Sequence, residues 1–474
     1  MPADSSLRTR LRGYALWLSL AFCIATAWGA ETGGSTPAAT PAVRTPSFLL
    51  SQPTTLTYDT EYPALGYSGV ATENAVARLQ ARLDRGEVKL AYKEGRGYLD
   101  SLLGLLGIDA SSQSLVFSRT SFQVAGIRAA SPRAIYFNDD TYVAWIPGGE
   151  MLEMGTMDTR LGPVFYTLPN QVTAPQRFDR PILTCISCHD SLTLTGGGVP
   201  RFILGSGYVG INGEQLTHEG RILTTDRTPL RSRWGGWYVT GTHGDQVHLG
   251  NILVRSANEL VDLDNLRRGN LENLDALFDT RPYLSNKSDI VALLVFQHQM
   301  HMQNLISRVN FEVREALARA GKAGDGSDKG AVELTPDVQM QLQEYLDDLV
   351  NGMLFVNAAG YTGKITGNSG FDRWFEARGP RDKQGRSLRK LDLTTRLFAY
   401  PLSYAVYSEA FDALPAYAKN YVYGRFASVL SGQDESASYA HLAAADRKSV
   451  QEILVATKPD YAQFTARSRS RTTK

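Results

Sequence analysis

The run "TCISCHDS", Thr184 to Ser191, sets Cys185 and Cys188 three positions apart, with His189 directly after the second. Two thiols at that spacing can add across the two vinyl groups of one porphyrin while the adjacent imidazole reaches its iron. The same thiols would also suit a zinc half-site or a redox disulfide. Zinc needs a second pair of ligands, and no cysteine follows Cys188. A thioredoxin-type pair opens a helix after a strand in βαβ order, and the sequence around 185–188 does not read that way. The spacing therefore points to one covalent haem c, with its iron. Cys185 and Cys188 are the attachment points and His189 is an axial ligand.

The other face of the iron decides between an electron carrier and a catalyst. "FQHQMHMQN" offers His298, Met300, His301 and Met302. On a 3.6-residue period Val291, Val295, His298, Met302, Leu305 and Val309 form one stripe, apolar apart from the imidazole, while Met300 points elsewhere. His298 is the first candidate for a second metal ligand and Met302 the next; the competing role for His298 is a hydrogen-bonded core residue. His243 in "GTHGD" and His248 lie in a Gly-rich stretch close to the motif, either as surface turn residues or at a haem edge. Arg231 and Arg233 suit haem propionates, and Trp234 and Trp237 suit stacking or plain packing.

These residues need elements to position them. The spacing predicts helices in "ENAVARLQARLDRGEV" and "YLDSLLGLLGI". Short strands follow from "SLVFSRTSFQVAGI" through "RAIYFNDDTYVAWIPGG" to "LGPVFYTL", and "RWGGWYVTGTHGD" continues that texture beyond the cysteines. From Ser288 a helix of about thirty residues runs to a glycine. Further helices are expected in "TPDVQMQLQEYLDDLVNGML", "RLFAYPLSYAVYSEAFDAL" and "YAKNYVYGRFASVL". The fold class is α+β: a helix-rich haem c domain with a β-rich region of short strands before and after the motif. The expected division is 48–175, helical then β-rich, 176–460, haem-binding, and 461–474, a disordered basic tail.

Arg8, Arg10 and Arg12 precede the apolar "YALWLSLAFCIATAW", so residues 1–30 read as an export signal cut after Ala27 or Ala30, and either cut removes Cys23. An uncleaved anchor and a lipid-modified Cys23 are the alternatives. Residues 31–47 are rich in Gly, Ser, Thr, Pro and Ala, like a flexible tether. No later segment has 18 uncharged apolar residues in a row, so no stable membrane span is expected after cleavage. The 474 residues carry 49 Lys and Arg against 48 Asp and Glu, which gives no field to gather nucleic acid.

The chain resembles a c-type cytochrome. The blocks "SPRAIYFNDDTYVAWIPGG", "CISCHDSLTLTGGGVPRF", "RWGGWYVTGTHG" and "RLFAYPLSYAVYSEAFDALP" look like those of large exported bacterial proteins with a single c-type haem. The resemblance implies Cys185 and Cys188 as thioether sites and His189 as proximal ligand. The segment before the motif looks faintly like the dihaem peroxidases and haem rubber oxygenases, which carry two such motifs where this chain has one. The expected function is one-electron transfer in the periplasm, with a redox partner protein or a small-molecule substrate. The alternative is a haem peroxidase or oxygenase with an open iron position, in which His298 or His243 serves as distal acid-base group. A haem sensor or structural haem protein ranks last, because no output module is visible.

Overall fold

The computed structural model describes residues 60–191, 195, 197–216, 220–254, 269–322 and 334–472. The chain divides into two units, 1–54 and 55–474, and every described residue belongs to the second. The expected signal, tether and Cys23 lie outside the described residues.

The fold is α+β, as expected. Five strands, β1 Ser114–Val116, β2 Arg133–Phe137, β3 Thr141–Trp145, β4 Met151–Asp158 and β5 Gly162–Pro169, form an antiparallel sheet in sequence order. The sequence texture marked β1, β2, β3 and β5. β4, "MLEMGTMD", is helix-friendly by composition and becomes a strand through eight paired positions with β5, from Met151↔Pro169 to Asp158↔Gly162. A two-stranded ribbon, β6 Gly205–Gly207 with β7 Arg221–Leu223, lies after the motif. Helices α1 Ala75–Asp84 and α2 Leu99–Leu106 precede the sheet, and α2 stops at Gly107, whose φ of 66° is the left-handed cap that glycine adopts without strain.

The helix Ile290–Arg319 is the axis of the core. Its N-cap is Asp289, whose Oδ1 accepts from the amides of Val291 and Ala292 while Oδ2 accepts from Asn368 and Ser369. Residues 290–300 are all buried. Each large apolar side chain there, Phe296 included, contributes about 1.5–3 kcal/mol by leaving water. The polar members are satisfied by the turn after β2: Gln299 Nε2 donates to the Asn138 carbonyl and Gln303 Nε2 to that of Asp139.

Three expectations are corrected. "RWGGWYVTGTHGD" is no strand but an extended crossing, touching neighbours through single bridges such as Val116↔Trp237 and Thr242↔Thr366, with φ of 67° at Trp234. "RLFAYPLSYAVYSEAFDAL" forms only a 3-10 turn, Tyr404–Tyr407, and one helical turn, Glu409–Asp412, because Pro401 interrupts it. The tail is a helix, Pro459–Thr472, starting from a proline and burying Tyr461 and Thr465 one turn apart. The helices Pro336–Met353 and Ala416–Ser431 form where expected. No helix among the described residues is long and apolar enough to cross a membrane.

Candidate haem attachment site

Cys185, Cys188 and His189 close the short helix α3, Ile182–His189. Positions i, i+3 and i+4 share one helical face, so both thiols and the imidazole look the same way while Ile186 is buried behind them. The helix hangs from the end of β5: the amides and carbonyls of Thr167 and Asp179 pair at 2.8 and 2.9 Å. Arg180, just ahead of α3, donates to the Tyr67 carbonyl at 2.6 Å and lies over the Tyr67 ring. The attachment face is thus fixed by the sheet rather than by a free loop.

Both thiols are free, Cys188 exposed and Cys185 partly buried. Burial, helped by Glu153 and Cys188, pushes the Cys185 thiol up to about 11. A dithiol built for disulfide exchange needs the opposite shift, so this environment does not suit the redox-disulfide alternative. Among the described residues no group of three His, Cys, Asp or Glu is placed to hold a bare metal ion.

His189 is pinned twice to Arg201. The Arg201 amide donates to the His189 carbonyl at 2.9 Å, and His189 Nδ1 lies 2.6 Å from the Arg201 carbonyl. A carbonyl only accepts, so Nδ1 carries the proton and Nε2 keeps its lone pair, the state an iron ligand requires. Nε2 meets no described hydrogen-bond partner. Burial lowers the His189 pKa to about 4 despite the opposing Arg201 hydrogen bond, so the ring is neutral at pH 7. Phe165 of β5 rests on it at 4.0 Å between ring centroids.

The peptide joining Arg201 to Phe202 also fixes where the core helix stands. Its oxygen faces His189, and its N–H donates to Asn304 Oδ1 at 2.8 Å, while Asn304 Nδ2 returns a bond to the Phe202 carbonyl at 2.9 Å. Oxygen and N–H of a trans peptide point in opposite directions. Asn304 of the helix Ile290–Arg319 therefore lies beyond that peptide, on the Nδ1 side of the imidazole. Gly155 on β4 admits the Phe202 ring, since any Cβ there would come within 2.9 Å of it.

His298 is fully buried with both ring nitrogens engaged: Nδ1 lies 3.0 Å from Asp226 Oδ2 and Nε2 2.8 Å from Ser403 Oγ. It stacks on Phe355 and has no lone pair to spare. Met302 points toward Gly352 of the neighbouring helix. His301 Nδ1 shares the Asp226 carboxylate at 2.8 Å. Burial pushes the Asp226 carboxyl up, but His298 and then His301 outweigh it and hold it far below the ordinary carboxylate range.

His243 and His248 are not at a surface turn: both are buried, with ring centroids 4.6 Å apart. Arg231 is exposed, and Arg233 spends its donors on the carbonyls of Thr228 and Asp226. Trp237 Nε1 donates to the Gly205 carbonyl. Nothing in the sequence singled out Arg201, Asn304 or Phe165. A main-chain carbonyl leaves no mark in a sequence, and the Asn304 amide shows only as a polar residue on a helix.

Two free thiols and the His189 Nε2 on one helical face are the donor set that a covalent haem would need. Exposed apolar side chains stand in three segments: Phe122 and Val124 flank Gln123, which donates to Glu153; Leu183 is on α3; Ile222 and Leu223 follow Arg221. No family model, no curated protein and no solved structure matches this chain.

Proposed function

We propose that the chain is an exported c-type cytochrome that passes one electron at a time between redox partners outside the cytoplasm. The observation that carries this reading is the His189 ring, with Nδ1 tied to the Arg201 carbonyl and Nε2 free, on one helical face with two free thiols. Bound there, the haem supplies the one-electron couple. Cys185 and Cys188 hold it, His189 orients it, and Phe165 with the 201–202 peptide keeps the imidazole from turning.

A second reading is a haem peroxidase or oxygenase with an open iron position. The core helix favours keeping it, because both His298 ring nitrogens are engaged and Met302 points toward Gly352, so neither is offered as a second ligand. Absorption spectra of the mature protein, ferric and ferrous, with and without carbon monoxide, test both. A low-spin spectrum indifferent to carbon monoxide supports electron transfer, ready carbon monoxide binding supports the enzyme, and no covalent haem overturns both.

A further inference from the structure

Most arginines around the motif have found an acceptor, although the Nε of Arg133 and of Arg180 is also buried without one. Arg133 pairs with Glu153, Arg180 with the Tyr67 carbonyl, and Arg308 with the Gly197 carbonyl and Glu312. Arg201 and Arg221 have not. Each is half-buried, neither side chain makes a hydrogen bond or ion pair with a described residue, and the Nε of each is shut off from solvent without an acceptor.

Both stand close to the motif, Arg201 with Asp190 and Arg308 as its charged neighbours. The backbone of Arg201 is what holds His189. Arg221 is within electrostatic reach of Cys188, and its guanidinium lies against Gly205, where a Cβ would come within 2.6 Å of Nε and 2.8 Å of a terminal nitrogen. Two half-buried cations without a described hydrogen-bond acceptor carry a desolvation cost, offset only in part by Asp190 at Arg201, which an anion from outside the chain would relieve. The anionic groups of a porphyrin are its two propionates, and a guanidinium meets a carboxylate with two parallel hydrogen bonds.

Building on the haem reading, we infer that Arg201 and Arg221 bind the haem propionate carboxylates, the role that the sequence suggested for Arg231 and Arg233. The haem content of the wild-type holoprotein is measured first, so failure of the parent reading shows before any arginine is changed. The full chain carrying Cys185→Ala and Cys188→Ala is then titrated with hemin and with hemin dimethyl ester, whose propionates carry no charge. The expected preference for hemin is at least about tenfold, and Arg201→Gln or Arg221→Gln each reduces it by about tenfold. Arg→Lys at either position restores part of it.

The ratio is insensitive to a general loss of fold, which weakens both ligands together. Equal weakening of hemin and ester makes the two arginines packing residues and overturns the proposal. A hemin preference that survives both substitutions assigns their carboxylate partner to a substrate or a docking protein, and overturns it equally.

Discussion

Two histidines of this chain, His189 and His298, teach by contrast. Each has Nδ1 on an oxygen acceptor, the Arg201 carbonyl in one case and the Asp226 carboxylate in the other. They differ at the second nitrogen: His298 Nε2 is closed by Ser403, whereas His189 Nε2 meets no described partner. Around His298 the polar groups satisfy one another and aromatic rings seal them in. Around His189 two thiols are free, and the guanidiniums of Arg201 and Arg221 meet no acceptor among the described residues. Accounting for hydrogen-bond partners, more than residue type, separates a candidate ligand from a core residue.

The largest expected effect is at the open region. Cys185→Ala with Cys188→Ala abolishes covalent haem, leaving no haem stain on a denaturing gel. His189→Ala removes the axial nitrogen and changes the spectrum of whatever haem is attached. Retention of the wild-type spectrum in His189→Ala would break the contrast outright.

The closed region should respond in stability and not in colour. His298→Ala leaves the buried Asp226 carboxylate without its principal partner and opens a hole among Phe355, Phe398 and Tyr404, for a loss of about 3 kcal/mol or more. Denaturant unfolding measures that loss. Haem content and spectrum should be those of wild type; a shift to a high-spin spectrum would place His298 on the iron after all.

His243 and His248 fall between the two regions, being buried yet poorly partnered. Burial, and then His243 beside it, lowers the His248 pKa to about 3, against about 6.5 in an unfolded chain. Below pH 6.5 the unfolded chain takes up a proton that the folded chain refuses. Stability is therefore full above that pH and falls toward pH 3, by up to about 1.4 kcal/mol per pH unit. His248→Gln should flatten this acid slope. An unchanged slope between pH 6 and pH 4 would show that the ring is not held neutral by burial.

The candidate motif stood out because it is local: two thiols and an imidazole within five residues are visible in their spacing, and the helix places them on one face. The helix that buries His298 and Met302 was legible from its period, and the α+β class from the change of texture near Ser114. The duty of His298 was not, because its partners lie 72 and 105 residues away and a stripe names only the buried face. "RWGGWYVTGTHGD" misled for a related reason. Aromatic and β-branched residues favour extended backbone, but a strand also needs a neighbour in register, and here each bridge reaches a different segment. In the tail, the basic composition beyond Phe464 masked the helical spacing of Tyr461, Phe464 and Thr465.

The smallest effect, and the finest test of the contrast, concerns His301. It donates to the same Asp226 oxygen as His298, but it is partly exposed and its Nε2 closes on nothing described. His301→Gln leaves Asp226 with its buried partner and lets water replace the lost donor, so stability should fall by about 0.5–1.5 kcal/mol. Haem content should not change. The double variant with His298→Ala should cost more than the two single losses together, since Asp226 then keeps neither imidazole and must stay charged without a donor or take up a proton. Additive losses would mean that the carboxylate finds another partner, and the closed character of this node would then owe more to its aromatic shell than to its hydrogen bonds.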